Sequence, residues 1–280
     1  MSAVGADVPI KPASTIVVMR DGAEGPELFL VRRHYSIAFM AGAHVFPGGR
    51  VDPADGDADA SWCDLPEAGP GWPSTAFAVA AIRELFEEAG ILLARAPEGP
   101  MVTIEGTDRR PWVERSRTAV HDGTLGLRHL LARESLRLAV DTVVPFAHWV
   151  TPPIEVRRFD TWFFLCMLPA GQEARHDTHE SIDSGWFTPR AALDACRQGR
   201  INLPPPTWAT LRELEPFATA AEAIAWARTR TIVARQPRVI DAGGVREIVL
   251  PGHATHPSGE QSIFETRFTW VDGRWLPHVP

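Results

Sequence analysis

Apolar residues recur along this chain in two rhythms. Short runs rich in branched and aromatic side chains stand at Ser14–Met19 and Leu28–Arg32, separated by Asp21-Gly22-Ala23-Glu24-Gly25-Pro26, whose glycines and proline favour a turn. A third run, Ala43–Phe46, stops at Pro47-Gly48-Gly49. Further strand-like runs lie at Phe146–Val150, Phe159–Leu168 and Ser184–Thr188. The helical rhythm runs over Thr75–Ala89, entered from Ser74 or Thr75 and closed by Gly90. It returns over Leu127–Val140, Pro189–Gln198 and Thr207–Arg228. Residues 52–74 are rich in Asp, Pro and Gly and read as a surface loop; 94–125 read as irregular chain. Near the end, Phe268–Val271 and Arg274–Pro277 flank Asp272-Gly273, a hairpin signal. Strands interleaved with helices predict a mixed α/β (α+β) domain. The pattern divides into a flexible arm over 1–13, a domain over 14–200 with insertions at about 56–74 and 105–140, and a helical extension with hairpin over 201–280 packed on that domain.

The helix at 75–89 carries the chemistry. At about 100° per residue, Glu84, Glu87 and Glu88 share one third of its circumference, while Ala78, Ile82, Leu85 and Ala89 gather on another sector. Carboxylates one turn apart repel by roughly a few tenths of a kcal/mol each. Arg83, four residues before Glu87, offsets part of that. A solvated acidic face accounts for three glutamates taken alone. The strand-turn before the helix shifts the balance. Gly48 and Gly49 let a backbone carbonyl turn to an ion where a Cβ would clash. A hard cation such as Mg²⁺ takes oxygen ligands and bridges carboxylates to phosphate.

Composition narrows the classes. With 280 residues, 45% hydrophobic and 22% charged, the chain has an ordinary globular mix. Its 28 basic and 35 acidic side chains leave a formal charge of −7, which argues against a general nucleic-acid surface. Lys11 is the single lysine, so an anionic ligand must be met by arginine. Cys63, Cys166 and Cys196 form no Cys-x-x-Cys pair and support neither a zinc knuckle nor a disulfide framework. Apolar runs such as Trp162–Leu168 fall far short of the roughly 20 residues that span a bilayer, and no secretory signal is visible. The expectation is a soluble, cytoplasmic protein with reduced thiols and no membrane or nucleic-acid partner. No nucleophile elbow and no phosphate-binding Gly-Lys-Ser/Thr loop occurs. His176, Asp177, His179 and Glu180 read as a polar loop in preference to a second metal site, and the ten Trp as packing.

The run Arg83-Glu84-Leu85-Phe86-Glu87-Glu88-Ala89-Gly90-Ile91 resembles the second half of the box that defines the Nudix hydrolases. Gly49 matches its first half, with Asp55 where Glu is expected. The 27 residues 56–82 separate Asp55 from Arg83 where the box has seven, an insertion of 27 − 7 = 20 placed in the loop that shapes the mouth of the site. Upstream, Arg33, Gly42 and Phe46-Pro47-Gly48-Gly49 keep the spacing of the coenzyme A-cleaving branch, which includes the peroxisomal coenzyme A diphosphatases; His34 and Ala38 depart from it. The run Arg157–Phe164 is similar to that branch as well.

The resemblance covers roughly residues 14–215. It implies a Nudix α/β/α sandwich with a mixed sheet, and hydrolysis, dependent on Mg²⁺ or Mn²⁺, of a nucleoside diphosphate linked to another moiety. Coenzyme A or acyl-coenzyme A is the first expectation and NADH or ADP-ribose the alternative. A nucleotide-binding module without catalysis is the rival from another class, and the retention of all three box carboxylates weighs against it. The metal ligands implied are the Gly48 carbonyl, Glu84, Glu87 and Glu88, with Glu84, Glu87 and Glu180 in the chemistry. Glu87 stands as a further ligand or as the carboxylate that orients water, and Glu180 as a candidate base. Arg32, Arg33, Phe46, Arg157 and Arg158 are the substrate-binding set, because a guanidinium grips phosphate oxygens as a fork. The partner is a small nucleotide-diphosphate substrate, and a homodimer is left open.

Overall fold

The computed structural model describes residues 8–36, 40–67, 69, 71–104, 109–177, 180–242, 244–258 and 265–278. The arm's first seven residues, Ala38 and His179 lie outside them.

Strand β1 (Ile10–Gly22) is the spine of the domain. On one side it pairs in parallel with β8 (Arg158–Met167), from Ile10 opposite Arg158 to Met19 opposite Met167. Two strands share its other side. The hairpin partner β2 (Gly25–Arg33) takes Met19 to Gly22, and β4 (Gly48–Arg50) takes Ala13 to Thr15, both antiparallel. Outward lie β7 (Val144–Val150) and then β10 (Ala234–Arg235) on the β8 side. Two further strands, β3 (His44–Val45) and β9 (Ser181–Phe187), pair with β2.

Alternation along β1 decides the layers. Ile16 and Val18 join the core under α1 (Thr75–Ala89), with α2 (Arg110–His121) and α3 (Leu127–Arg133) in the same layer. Val17 and Met19 join the opposite core, under α4 (Pro189–Arg197), α5 (Pro205–Leu214) and α6 (Ala220–Arg228). The result is the expected α/β/α sandwich on a mixed sheet. A ribbon of β5 (Ala94–Arg95) and β6 (Arg137–Leu138) sits beside α1's layer. A separate antiparallel sheet of β11 (Arg238–Ala242), β12 (Val245–Val249), β13 (Arg267–Val271) and β14 (Arg274–Pro277) holds the expected hairpin.

The structure corrects several expected spans. The arm ends before Ile10, because Ile10–Ala13 ladders onto Arg158–Thr161 through its backbone while Ile10, Lys11 and Pro12 stay exposed. The helix expected over 127–140 stops at Arg133; Ser135 turns the chain at φ 55°, and Arg137–Leu138 becomes strand. The stretch expected as irregular contains α2.

The insertion is not a free surface loop. Trp62 and Cys63 are buried in the core against α1's layer. Leu138 N–H donates to the Trp62 carbonyl and Asp64 N–H to the Leu138 carbonyl. Arg137 donates to the carbonyls of Ala60, Ser61 and Cys63 and pairs with Asp64 at 2.6 Å. We expect Trp62→Ala to lower the urea unfolding free energy by about 3 kcal/mol through the cavity it leaves. Excision of 56–74 should destabilise the fold for the same reason, and a shortened chain with unchanged unfolding midpoint would show that this stretch adds nothing to the core.

Candidate active site

Arg83 uses every N–H it has. Its Nε and one Nη grip both oxygens of Asp55 at 3.0 Å each, as a two-pronged pair. The same Nη donates to the Arg50 carbonyl at 2.8 Å, on the strand that carries the glycine turn. The other Nη bridges Glu84 at 2.9 Å and Glu87 at 3.0 Å. One guanidinium therefore ties the glycine strand, the start of the insertion and the acidic helix together. Asp55 is 3% exposed, and this guanidinium is its countercharge. The sequence placed Arg83 only as a partial offset to Glu87. A contact between residues 28 apart has no local signal.

Helix α1 ends on Gly90 at φ 69°, a left-handed cap, and the loop before β9 closes over its last turn. Arg175 N–H donates to the Ala89 carbonyl and Asp177 N–H to the Glu88 carbonyl. The Asp177 carboxylate accepts from Glu180 N–H, and the Glu180 carbonyl accepts from His34 N–H. This chain of bonds sets Glu180 beside the helix face, near enough to repel Glu84 and Glu88. His176 is taken up by Ser184 at 2.8 Å, in keeping with a polar loop.

Gly48 lets the turn lie against β1, and Gly49 admits the Glu84 carboxylate. A Cβ on Gly48 would lie 2.3 Å from the Ser14 carbonyl, and one on Gly49 2.3 Å from Glu84 Oε1. Gly48 N–H turns from β1 and donates to Glu88 Oε2 at 3.0 Å. Burial, with the like charges of Glu87 and Glu180 beside it, pushes the Glu84 carboxyl up to about 7 in spite of Arg83. Burial and the neighbouring Glu84 charge raise Glu88 well above the carboxylate range, with Gly48 N–H and Arg33 opposing. Glu87 differs: Arg83 holds one oxygen, and His121 Nδ1 lies 3.4 Å from the other. Neither His121 nor Arg117, which donates twice to the Glu87 carbonyl, stood out in the sequence.

The arginines separate into two groups. The Arg33 charge reaches Glu88 and favours its ionised form. Arg32 turns to the Tyr35 hydroxyl and ring, near His44, whose pKa burial lowers to about 4. The structure does not bring Arg157 and Arg158 to the carboxylates. Arg158 pairs with Ile10, five residues along β1 from the Thr15 that faces Gly48, about 17 Å at the rise of a strand. Its guanidinium is buried and donates to the Thr151 carbonyl, while Arg157 is exposed. Phe46 is 3% exposed in the core under α4–α6, so its ring packs the fold and is closed to substrate.

The profile of the NUDT19 Nudix domain matches residues 67–214, more than half of the chain. The chain belongs to the Nudix hydrolase family. A Nudix hydrolase crystal structure from Alicyclobacillus acidocaldarius superposes with a TM-score of 0.70 at 30% identity, covering 79% of this chain and 97% of that one. The human acyl-coenzyme A diphosphatase NUDT19 is 31% identical over 239 residues, 71% of this chain and 63% of the relative. The Xenopus laevis protein of the same name is 27% identical, over 76% of this chain and 66% of the relative. The chain thus spans about two thirds of the length of these two relatives.

The Nudix family implies a divalent metal, and the residues present fit one. Among the described residues no three acidic, His or Cys side chains form a ready chelate, since Glu84 and Glu87 lean on Arg83 and Glu88 on Gly48. Yet Glu84 and Glu88 are paired carboxylates with hard oxygens, raised towards protonation by burial and mutual repulsion. A divalent cation relieves both penalties.

Two outcomes follow for this centre. Asp55→Asn breaks a buried charge pair and should lower stability by about 3 kcal/mol or more in urea unfolding. Glu84 titrates near 7 in the fold against 4.5 ordinarily, so the folded chain holds extra protons between those values. Its contribution to stability is full below about pH 4.5 and is lost as pH rises through 7. The Tm of metal-free protein should fall from pH 5 to pH 8, and Mg²⁺ should raise Tm more at pH 8. Equal Mg²⁺ shifts at both pH values would contradict the assignment.

Proposed function

We propose that this protein hydrolyses the diphosphate of coenzyme A or acyl-coenzyme A with Mg²⁺ or Mn²⁺. The observation that carries the reading is the pair of carboxylates, the half-buried Glu84 and the buried Glu88, set against the Gly48–Gly49 backbone with the Arg33 charge acting on Glu88. The names of the curated relatives, acyl-coenzyme A diphosphatases, support the substrate class. Glu84, Glu88 and the Gly48 carbonyl would hold the metal. When bound, it draws charge from a diphosphate and acidifies a coordinated water.

The chain's own groups do the rest. Glu180, held by the loop on α1's last turn, is half-buried beside the two glutamates and able to take a proton from the attacking water. Glu87, clasped by Arg83 and His121, holds the acidic face in place. Arg33, whose charge reaches Glu88, would neutralise the diphosphate oxygens as the bridging bond breaks. Arg157, exposed just before the start of β8, is left for a remote part of a long substrate.

A panel of coenzyme A, acyl-coenzyme A, ADP-ribose and NADH, read by product mass, tests this. Coenzyme A should give phosphopantetheine and adenosine 3′,5′-bisphosphate. Glu88→Gln should cut turnover by about a hundredfold or more while the fold persists. Arg33→Ala should cost about 1.5–3 kcal/mol on coenzyme A and on its 3′-dephospho analogue alike, as a contact to the shared diphosphate requires. A larger loss on coenzyme A would move Arg33 to the 3′-phosphate, and faster cleavage of ADP-ribose or NADH would replace the substrate.

A further inference from the structure

On the sheet face away from the carboxylates, a cavity of about 780 Å³ opens where the sheet ends. β10 covers only His148 and Trp149 of β7. The cavity lies beside Phe146 and Ala147 of that strand and the loop from Pro152 to Ile154. Phe146 and Ala147 belong to the core under α4–α6, so the sheet stands between this cavity and helix α1. From β4, with Gly48, to β7 is three strand spacings, about 14 Å.

Its walls combine two chemistries. Ile154 and Val233 line it while 58% and 63% exposed, apolar surface left to water around a concavity of ligand size. Arg230, Arg235 and Arg238 line it too. The buried Glu213 serves both Arg230, at 2.6 Å, and Arg235. Arg238 is exposed and has no ion-pair partner among the described residues. Among the described side chains at this corner, three guanidinium charges meet one carboxylate. Arg230 is the costliest of them: its guanidinium lies over the rings of Trp226 and Phe146, at 4.3 and 4.7 Å, where burial disfavours its charge. An anion brought to this corner gains from the surplus charge.

We propose that the cavity is a second ligand site, separate from the hydrolytic centre, for an amphipathic anion: an aliphatic chain ending in a carboxylate or a phosphate. The chain would lie on Ile154, Val233 and the neighbouring prolines, with its head at the arginines. The site stands whether or not the diphosphatase reading holds, because it shares no residue with that centre.

Fluorescence titration of the full chain with dansylamino-undecanoate, below its micelle concentration, tests the site. Saturable binding should be displaced by dodecanoate or dodecyl phosphate, the tighter one identifying the head, and at least tenfold less well by dodecanol. Val233→Glu and Arg238→Glu, both at exposed positions, should each weaken the probe at least tenfold with Tm and diphosphate turnover unchanged. Glu88→Gln should leave probe affinity as it was. Equal displacement by dodecanol, or full affinity in both cavity variants, would overturn the proposal. So would loss of the probe in Glu88→Gln or its displacement by coenzyme A, either of which places it in the catalytic centre.

Discussion

A single guanidinium organises this molecule's acidic centre. Arg83 spends its five N–H groups on Asp55, Glu84, Glu87 and the carbonyl of Arg50. Each partner comes from a different constraint. Arg50 closes the glycine strand, Asp55 opens the insertion, and the glutamates line the helix. Desolvation alone would make a buried Arg costly; three carboxylates around it reverse that balance and hold it charged. With Arg83 committed to Glu84 and Glu87, Glu88 is left to Gly48 N–H and the more distant Arg33. The acidic surplus at this spot follows from how one cation is shared.

That arrangement explains how the Nudix box tolerates an interruption. Asp55 stands just before the inserted chain and Arg83 after it, so their two-pronged bond closes the loop at its base. Lengthening a flexible closed segment from seven to 27 residues adds about 1.2 kcal/mol of closure entropy, from (3/2)RT ln(27/7). Burial of Trp62 and Cys63, with the bonds from Arg137, offsets a cost of that size. The insertion is thereby folded into the core instead of hanging from it.

Much of this was legible in the sequence because the signal was local. Helix α1 begins at Thr75 and ends at Ala89 as its apolar rhythm and Gly90 require, and the two glycines before it stand where their lack of a Cβ is needed. The unread parts are those set by distant chain. Ile10–Ala13 is held by a backbone ladder to β8 with no apolar alternation of its own. Phe46, beside the glycine turn, looked like a substrate contact, but its ring goes to the opposite core. Arg157 and Arg158 share a motif in sequence, yet Arg158 stands about 17 Å along the strand from the glycine turn and Arg157 precedes it. Residue type identified the chemistry; only the register of β1 assigned each residue its place.

The two faces of the sheet thus carry opposite electrostatic problems. Towards α1, carboxylates outnumber the cations that reach them, and burial raises the cost of leaving them charged. Towards α6, at the far edge, arginines outnumber carboxylates around an apolar hollow. With Lys11 as the single lysine, arginine supplies both the structural fork at one end and the surplus charge at the other. The difference lies in the partners. Arg83 is saturated by oxygens from its own chain and serves the fold, whereas Arg238, without an ion-pair partner among the described residues, keeps its donors for a ligand.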